Sequence, residues 1–366
     1  MAAAQAIIDE RYMAAALALA VRTLGVTSPN PAVGAIIVRD GLVVGRGWTM
    51  PGGRPHAEAV ALAQAGALAR GATCYVSLEP CSHHGKTPPC AEALVAAGVG
   101  RVVVGCGDPD PRVAGGGLNT IQRAGIDLSV GVLEEQARTV AAGFLSRIEH
   151  GRPLVTLKLA TTADGRSATA NGHSRWITGP VARAHAHAER ARHDAIMVGA
   201  DTVIADDPAL TCRLPGLAAR SPLRIAIDRR GRIPATARLR VDNAAPTLII
   251  RSVAASADGG ERARDVLTMV GLDGGDGDLD RILRMLAARG ITRLLVESGG
   301  RLAAALIRRH LVDHVDWYRA PSLLGGDAVP AIGALALSDA SDAVGLTPIE
   351  HRVLDPDSLD RFEIRH

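Results

Sequence analysis

The sequence predicts an α/β protein built as two consecutive domains, residues 1–150 and 151–366. Three observations carry that reading. Strand-like and helix-like stretches alternate along the chain, the pattern of layered α/β architecture. The alternation restarts near Glu149-His150-Gly151-Arg152-Pro153, where "PLVTLKLA" opens a second set of strands. A length of 366 residues suits two domains of ~100–200 residues each.

The elements follow in order. Arg11–Arg22 is expected as a helix, after an N-terminal leader, and "SPNPAVG" as a turn. "AVGAIIV" and "LVVGRGW" read as strands joined at Arg39-Asp40-Gly41. His56–Arg70 is a helix ended by Gly71, Thr73–Leu78 a strand, and Pro89–Ala97 a helix closed by Gly98. The strand "RVVVGC" follows, then helices Ala114–Ala124 and Glu134–Ser146 around the strand "DLSVGV". In the second domain "PLVTLKLA" precedes a helix at Pro180–Arg192 and the strands "AIMVGA", "LRIAID" and "PTLIIR". A Gly/Asp-rich loop at 271–278 leads to the helix Leu279–Arg289, the strand "RLLVES", the helix Leu302–Arg309 and the strand "VDWYRA".

Composition narrows the function. Hydrophobic residues make up 47% of the chain and aromatics 2%, so the core must be built from Ala, Val, Leu and Ile. Scarce aromatics and a net charge of +3 argue against nucleic-acid binding, which favours stacking platforms and a basic field. No apolar run approaches the ~20 residues of a membrane span, and the N-terminus lacks a basic region before its apolar stretch. The five cysteines (Cys74, Cys81, Cys90, Cys106 and Cys212) are odd in number and irregular in spacing. That speaks against a disulfide framework and for a reducing cytoplasm.

The chemistry concentrates in "HAEAVAL" and "LEPCSHHGKTPPC". His56, Cys81 and Cys90 offer one nitrogen and two sulfurs, the three protein ligands that a catalytic zinc needs beside an open position. Both cysteines sit at or before helix starts, where the dipole favours thiolate. Cys74 or His83 could close the site as a fourth ligand. Glu58 discriminates: two residues after His56, on the same helical turn, its carboxylate can take a proton from water and give it to a leaving amine. H-x-E followed by P-C and a second Cys is the signature of zinc nucleobase deaminases, though the spacer here has eight residues instead of two. The bland alternative is a structural zinc knot, or a buried Cys pair with a surface His.

These stretches, with "TSPNPAVGAIIV" and "DPDPRVAGGG", closely resemble the deaminase half of the bifunctional riboflavin-biosynthesis deaminase–reductases of the RibD type. The resemblance implies a cytidine-deaminase-like α/β/α domain acting on a ribosyl-phosphate pyrimidine. Lys86 would then contact the phosphate, and Asn30 and His83 would line the substrate. One departure stands out. Asp110 carries a carboxylate where that family often has an amide, and a negative charge there is unwelcome beside a phosphate.

The second domain is quieter by itself. Gly299 and Gly300 open a helix and could admit a phosphate to its N-terminus. Arg229, Arg230 and Arg232 could select a 2′-phosphate and hence NADP. Asp206-Asp207 before Pro208 reads as turn capping. His185, His187 and His193 are expected at the surface. "KLATTADGR", "SRWITG", "VGADTVIADDPALTCR", "VESGG" and "APSLLG" resemble the reductase half of the same family, which implies a dihydrofolate-reductase-like α/β domain. By that resemblance NADPH contacts fall on Ala160, Trp176, Thr202, Asp206, Arg229 and the run Gly299, Gly300, Arg301, Leu302, Ala303, Ala304 and Ala305. Substrate contacts fall on Ser174, Arg190, Leu210, Arg213 and Glu297.

The expected activity is therefore twofold. The first is zinc-dependent deamination of 2,5-diamino-6-ribosylamino-4(3H)-pyrimidinone 5′-phosphate to 5-amino-6-(5-phosphoribosylamino)uracil. The second is NADPH-dependent reduction of the ribosyl to the ribityl chain. The expected partner is that small phosphorylated pyrimidine, with no nucleic acid and no membrane, in a cytoplasmic homo-oligomer. The rivals are a nucleoside or tRNA deaminase with an accessory C-terminal domain, a reductase with a dead deaminase, and a non-catalytic zinc-stabilised scaffold.

Overall fold

A computed structural model describes residues 2–84, 88–252, 266–269, 272, 275 and 277–365. They fall into two compact units, Met1–Pro153 with Ala287–Thr292, and Leu154–Leu286 with Arg293–His366. Each unit combines helices with a sheet that contains parallel strands, as the alternation predicts. No described helix is long and apolar enough to cross a membrane.

The first unit runs α1 (Ala2–Val21), β1 (Gly34–Arg39), β2 (Leu42–Trp48), α2 (Ala57–Ala65), β3 (Thr73–Leu78), α3 (Cys90–Ala96), β4 (Arg101–Cys106), α4 (Gly116–Arg123), β5 (Asp127–Val130) and α5 (Glu134–Glu149). Its five-stranded sheet has the order β2-β1-β3-β4-β5. The β1–β2 and β1–β3 pairs are antiparallel, and β3, β4 and β5 are parallel. Parallel neighbours place the loops after β3 and β4 at the same edge of the sheet, where open α/β sheets bind ligands. The core is Ala, Val, Ile and Leu, with Tyr75 and Phe144 as its buried aromatics.

Small residues set the position of α2. Ala57, Ala61 and Ala65 form its buried stripe, together with Glu58. Opposite lie Gly45 and Gly47 of β2, where an added Cβ would come within 2.3 Å of the Ala61 carbonyl oxygen and 1.9 Å of the Ala57 carbonyl oxygen. The helix therefore rests on the strand backbone itself, and its first turn is fixed against the sheet.

One expected boundary moves. The N-terminal helix already begins at Ala2 and takes in the stretch expected as a leader. Asp9 does not interrupt it: the carboxylate is buried and accepts a fork from Arg101 (2.8 and 2.7 Å) and the Tyr75 hydroxyl (2.9 Å). An acid that reads as a break in sequence is an anchor in the fold.

The second unit contains β6 (Leu154–Thr162), β7 (Arg166–Ala168), α6 (Pro180–Arg190), β8 (Ala195–Gly199), α7 (Ala200–Asp206), β9 (Leu223–Ile227), α8 (Arg238–Val241), β10 (Thr247–Ser252) and β11 (Val266–Met269). It continues with α9 (Gly277–Ala288), β12 (Arg293–Val296), α10 (Gly300–Arg308), β13 (His314–Ala320), β14 (Val329–Pro330), β15 (Leu346–Leu354) and β16 (Asp357–Ile364). Nine strands form one sheet, ordered β11-β10-β9-β8-β12-β6-β13-β16-β15, and β7 pairs with β14. The sheet is parallel up to β13, and the terminal hairpin β15–β16 adds antiparallel strands. Sequence patterning missed that hairpin because β15 is an edge strand, largely exposed, with Pro348 inside it. It also missed α7, whose "ADTVIAD" carries too short an apolar stripe. The loop expected at 271–278 lies largely outside the described residues.

Gly47→Ala is expected to cost ~1–3 kcal/mol of stability by overpacking and to shift the first turn of α2. Zinc per chain, measured by atomic absorption after purification, should fall well below that of the parent protein.

Candidate active sites

In the first unit three elements deliver three donors. His56 is the residue before α2, Cys81 follows the end of β3, and Cys90 opens α3. His56 Nδ1 lies 3.6 Å from Cys81 Sγ and 3.4 Å from Cys90 Sγ. Tetrahedral zinc with Zn–S of about 2.3 Å and Zn–N of about 2.0–2.1 Å puts nitrogen and sulfur ligands about 3.6 Å apart. The donor set therefore fits zinc in both chemistry and spacing. Among the described residues no other group of three His, Cys, Asp or Glu side chains converges in this way. Neither Cys74 nor His83 belongs to it. Cys74 is fully buried in β3, and burial pushes its thiol well above the usual range.

The cysteines already share charge. The Cys90 thiol, then the His56 ring and the Cys90 backbone N–H (3.3 Å), pull Cys81 down to about 4. Cys81 in turn pushes Cys90 up, by its hydrogen bond ahead of burial. A thiolate–thiol pair beside an imidazole is poised to lose its remaining proton to a dication.

Glu58 sits in the first turn of α2 and is only 4% exposed. Burial lifts its carboxyl to about 7. It shares a cavity of about 150 Å³ with His56, Cys81, Asn30 and His83. Asn30 Nδ2 donates to the Gly53 carbonyl (2.8 Å), which fixes the amide at the wall. His83 Nδ1 is buried without a hydrogen-bond partner among the described residues, a polar atom that a ligand would satisfy. Lys86 lies outside the described residues.

Sequence reasoning missed three contributors. Glu79 is buried, and its carboxylate accepts backbone N–H groups from Asp108 (3.3 Å), Gly115 (3.2 Å), Gly117 (3.0 Å) and Leu118 (3.4 Å). It ties the turn carrying Cys81 to the loop after β4. Asp108 lines the cavity, and burial raises its carboxyl to about 6. Arg112 lines it too, forked onto Asp110. The available signals were acids and a base within "LEP" and "DPDPR", but nothing in sequence says which of them turn inward.

The second unit gathers its charges around Glu297, which follows β12. Arg190, ending α6, forks onto it through Nε (2.7 Å) and Nη2 (2.9 Å) and reaches the Thr211 carbonyl through Nη1 (3.0 Å). Lys158 Nζ is 3.8 Å away. Burial works to raise the Glu297 carboxyl, but Arg190 and Lys158 override it and hold it at about 2. The remaining substrate expectations lie nearby in part. The Arg213 backbone N–H meets His187 Nδ1 (3.3 Å), and its side chain is exposed. Leu210 is buried in a cluster with Ile196, Val198 and Ala226. Ser174 lies on the segment before α6, two residues from the exposed Trp176, whose ring Arg183 covers at 4.5 Å.

The cofactor expectations divide similarly. Arg175 Nη2 donates to the Asp206 carbonyl (2.8 Å), bringing the Trp176 segment to the end of α7, which also carries Thr202. Ala160 lies on β6 opposite Tyr318. Arg229 lies after β9, with Nη1 3.8 Å from Asp278. Gly299 is the N-cap of α10, and a Cβ there would meet nothing within 4 Å. Arg301 is exposed and Leu302 partly so, whereas Ala303 and Ala304 are buried in the core side of α10 and Ala305 is partly covered. Asp207 accepts the N–H of Arg238, the first residue of α8 (2.7 Å), a long-range contact and not the local turn capping expected before Pro208.

The histidines are not surface residues as expected. His193 is buried, with Nδ1 2.7 Å from the Glu189 carbonyl and Nε2 3.3 Å from Thr156 Oγ1. His185 Nδ1 is 2.8 Å from the Tyr318 hydroxyl. Burial, with Arg190 and Arg213, lowers His187 to about 4 and keeps it neutral. His185 and His193 reach the sheet through Tyr318 of β13 and Thr156 of β6, whereas His187 meets the Arg213 backbone.

Two family models match the chain. The RibD C-terminal domain covers residues 153–359, and the cytidine and deoxycytidylate deaminase zinc-binding region covers residues 7–106. The Riboflavin biosynthesis protein RibD of Escherichia coli is 44% identical over 360 residues, 95% of this chain and 97% of that protein. The solved RibD of Acinetobacter baumannii is 38% identical, covers 98% of this chain and 99% of its own, and superposes with a TM-score of 0.88. A Thermotoga maritima diaminohydroxyphosphoribosylaminopyrimidine deaminase/5-amino-6-(5-phosphoribosylamino)uracil reductase is 32% identical, covers 99% of this chain and 100% of its own, and gives a TM-score of 0.87.

Glu297→Gln removes one partner of a buried pair and should destabilise the second unit by ~3–5 kcal/mol at pH 7. Because the native carboxyl is held at about 2, below an unfolded value of ~4.3, its contribution is complete above ~4.3 and is lost as pH falls toward 2. Urea midpoints of parent and variant should therefore converge on acidification below pH ~4.3.

Proposed function

The chain belongs to the RibD family of riboflavin-biosynthesis proteins, a bifunctional deaminase and reductase, and from that premise we propose how its own residues divide the two reactions. Residues 1–150 carry the deaminase and 151–366 the reductase. The substrate of the first step is 2,5-diamino-6-ribosylamino-4(3H)-pyrimidinone 5′-phosphate. The observation that carries the deaminase reading is the His56, Cys81 and Cys90 cluster with a buried Glu58 in the same cavity.

His56, Cys81 and Cys90 would hold zinc, which supplies Lewis acidity and a nucleophilic water near neutral pH. Asn30 and His83 orient the pyrimidine against the wall, and the His83 Nδ1, which has no hydrogen-bond partner among the described residues, supports that role. Glu58 accepts a proton from the attacking water and delivers it to the departing amine, so that water and substrate leave as the oxo product and ammonia. A buried carboxyl near 7 suits both halves of that transfer at physiological pH. Lys86 is assigned to the substrate phosphate on the family resemblance alone.

In the second unit NADPH supplies the hydride, and the chain binds and orients. Arg190 spends its N–H groups on Glu297 and Thr211, so we assign it to fixing the floor of the site. The exposed Arg213 is the cation suited to the substrate phosphate. Ser174, Leu210 and Glu297 complete the substrate side. Trp176, Thr202, Asp206, Ala160, Arg229 and the first turn of α10 from Gly299 form the cofactor side. A cytoplasmic homo-oligomer is the reading we favour, supported by the apolar exposure of Leu346, Ile349 and Val353 on the edge strand β15.

Glu58→Gln should keep its zinc and lose about 10²–10⁴-fold in ammonia release from the diaminopyrimidinone phosphate. NADPH oxidation by the same variant, given the deaminated pyrimidine, should be unchanged. Deamination by Glu58→Gln at the parental rate would remove Glu58 from the mechanism.

A further inference from the structure

The cavity of the first unit poses an electrostatic problem. Glu58, Glu79, Asp108 and Asp110 line it, against Arg54 and Arg112 as the fixed cations. Glu79 is spent on backbone N–H groups. Asp110 is the residue whose carboxylate looked unwelcome beside a phosphate, and the structure shows what it is paired with.

Asp110 and Arg112 form a closed local unit. The Asp110 side chain is 6% exposed and that of Arg112 is 69% exposed. Asp110 Oδ1 accepts the Arg112 backbone N–H (3.0 Å) and its Nε (2.9 Å), and Oδ2 accepts Nη2 (2.5 Å). The loop is braced from both sides. The Asp110 N–H donates to Asp108 Oδ1 (2.8 Å), and the Asp110 carbonyl accepts from Val113 (2.7 Å) and Ala114 (2.9 Å). A buried acid thus holds an exposed guanidinium over the cavity, and among the described residues Arg112 Nη1 has no hydrogen-bond partner. A planar fork with a free N–H edge is a strong phosphate donor.

We infer that Arg112 is a specificity-determining residue of the deaminase, meeting the phosphate of its substrate, and that Asp110 is the positioning residue that holds it there. The inference rests on the deaminase reading above and adds a second phosphate contact to it. The carboxylate at position 110 is engaged in orienting a cation and does not face the cavity alone. It also sets a penalty: without Arg112 the buried carboxylate is uncompensated and repels the incoming phosphate.

The test is a kinetic cycle on the full-length zinc enzyme, following ammonia release from the diaminopyrimidinone ribosyl phosphate and from its dephosphorylated ribosyl form. Arg112→Ala should raise KM for the phosphorylated substrate by about 10–100-fold, the worth of a hydrogen bond to a charged group, with kcat within about three-fold. For the dephosphorylated substrate its KM should stay within about two-fold of parent. Arg112→Lys should recover part of the loss. In an Asp110→Asn background, Arg112→Ala should cost several-fold less than in the parent, because no orphaned carboxylate remains. Equal KM increases for both substrates, or a fall in kcat at unchanged KM, would overturn the inference by assigning Arg112 to loop structure. Loss of ammonia release in the parent protein itself would instead overturn the deaminase reading and this inference with it.

Discussion

The geometry of the deaminase site depends first on one buried carboxylate. Glu79 sits between the last residue of β3 and Pro80-Cys81, and accepts four backbone N–H groups from the loop and helix that follow β4. Unpaired N–H groups buried at that density would each cost a desolvation penalty. An anion that satisfies all of them locks two otherwise independent loops into one wall. Gly117 permits the closure, since a Cβ there would lie 1.9 Å from the Pro80 carbonyl oxygen. Cys81, a proposed metal ligand, and the rim residues Asp110 and Arg112 hold their mutual positions through this contact.

The opposite wall comes from close packing of small residues. Alanines on α2 rest against glycines on β2 so tightly that the first turn has little freedom. That turn carries His56 at its cap and Glu58 inside. The proposed zinc ligand His56 and the proposed proton shuttle Glu58 thus share one rigid element, while the two sulfurs come from the other wall. Catalysis of this kind tolerates little looseness, because the shuttle must reach the water and the leaving amine in turn.

Buried charge plays a larger part in the second unit. Arg224 is 1% exposed and donates to Asp242, to the Thr247 hydroxyl and to the carbonyls of Ala209, Leu239 and Ala245. Arg361 is forked onto the buried Asp316. Arg190 and Glu297 repeat the device at the site. Each pair costs desolvation and holds only because nearly every lone pair and N–H finds a partner. Planar guanidinium groups fix direction as well as distance, which suits a site that must orient a substrate against a cofactor.

Much of this protein was written in local sequence. The alternation of strands and helices, the Gly and Pro punctuation and the H-x-E and P-C spacing depend on neighbours within a few turns, so the α/β class and the zinc donors are legible without coordinates. Residues that act through distant partners were not. Asp9 reads as a polar break in an apolar stretch until Arg101 is seen beside it. His185 and His193 read as surface until β13 and β6 are seen against them. Glu79 and Arg112 are one acid and one base among many. The sequence by itself determined which side chains are available for chemistry, because chemical identity and short-range spacing are local. Only the tertiary structure decided which charges are buried, paired or left facing the cavity, because burial and ion pairing arise between residues far apart in the chain.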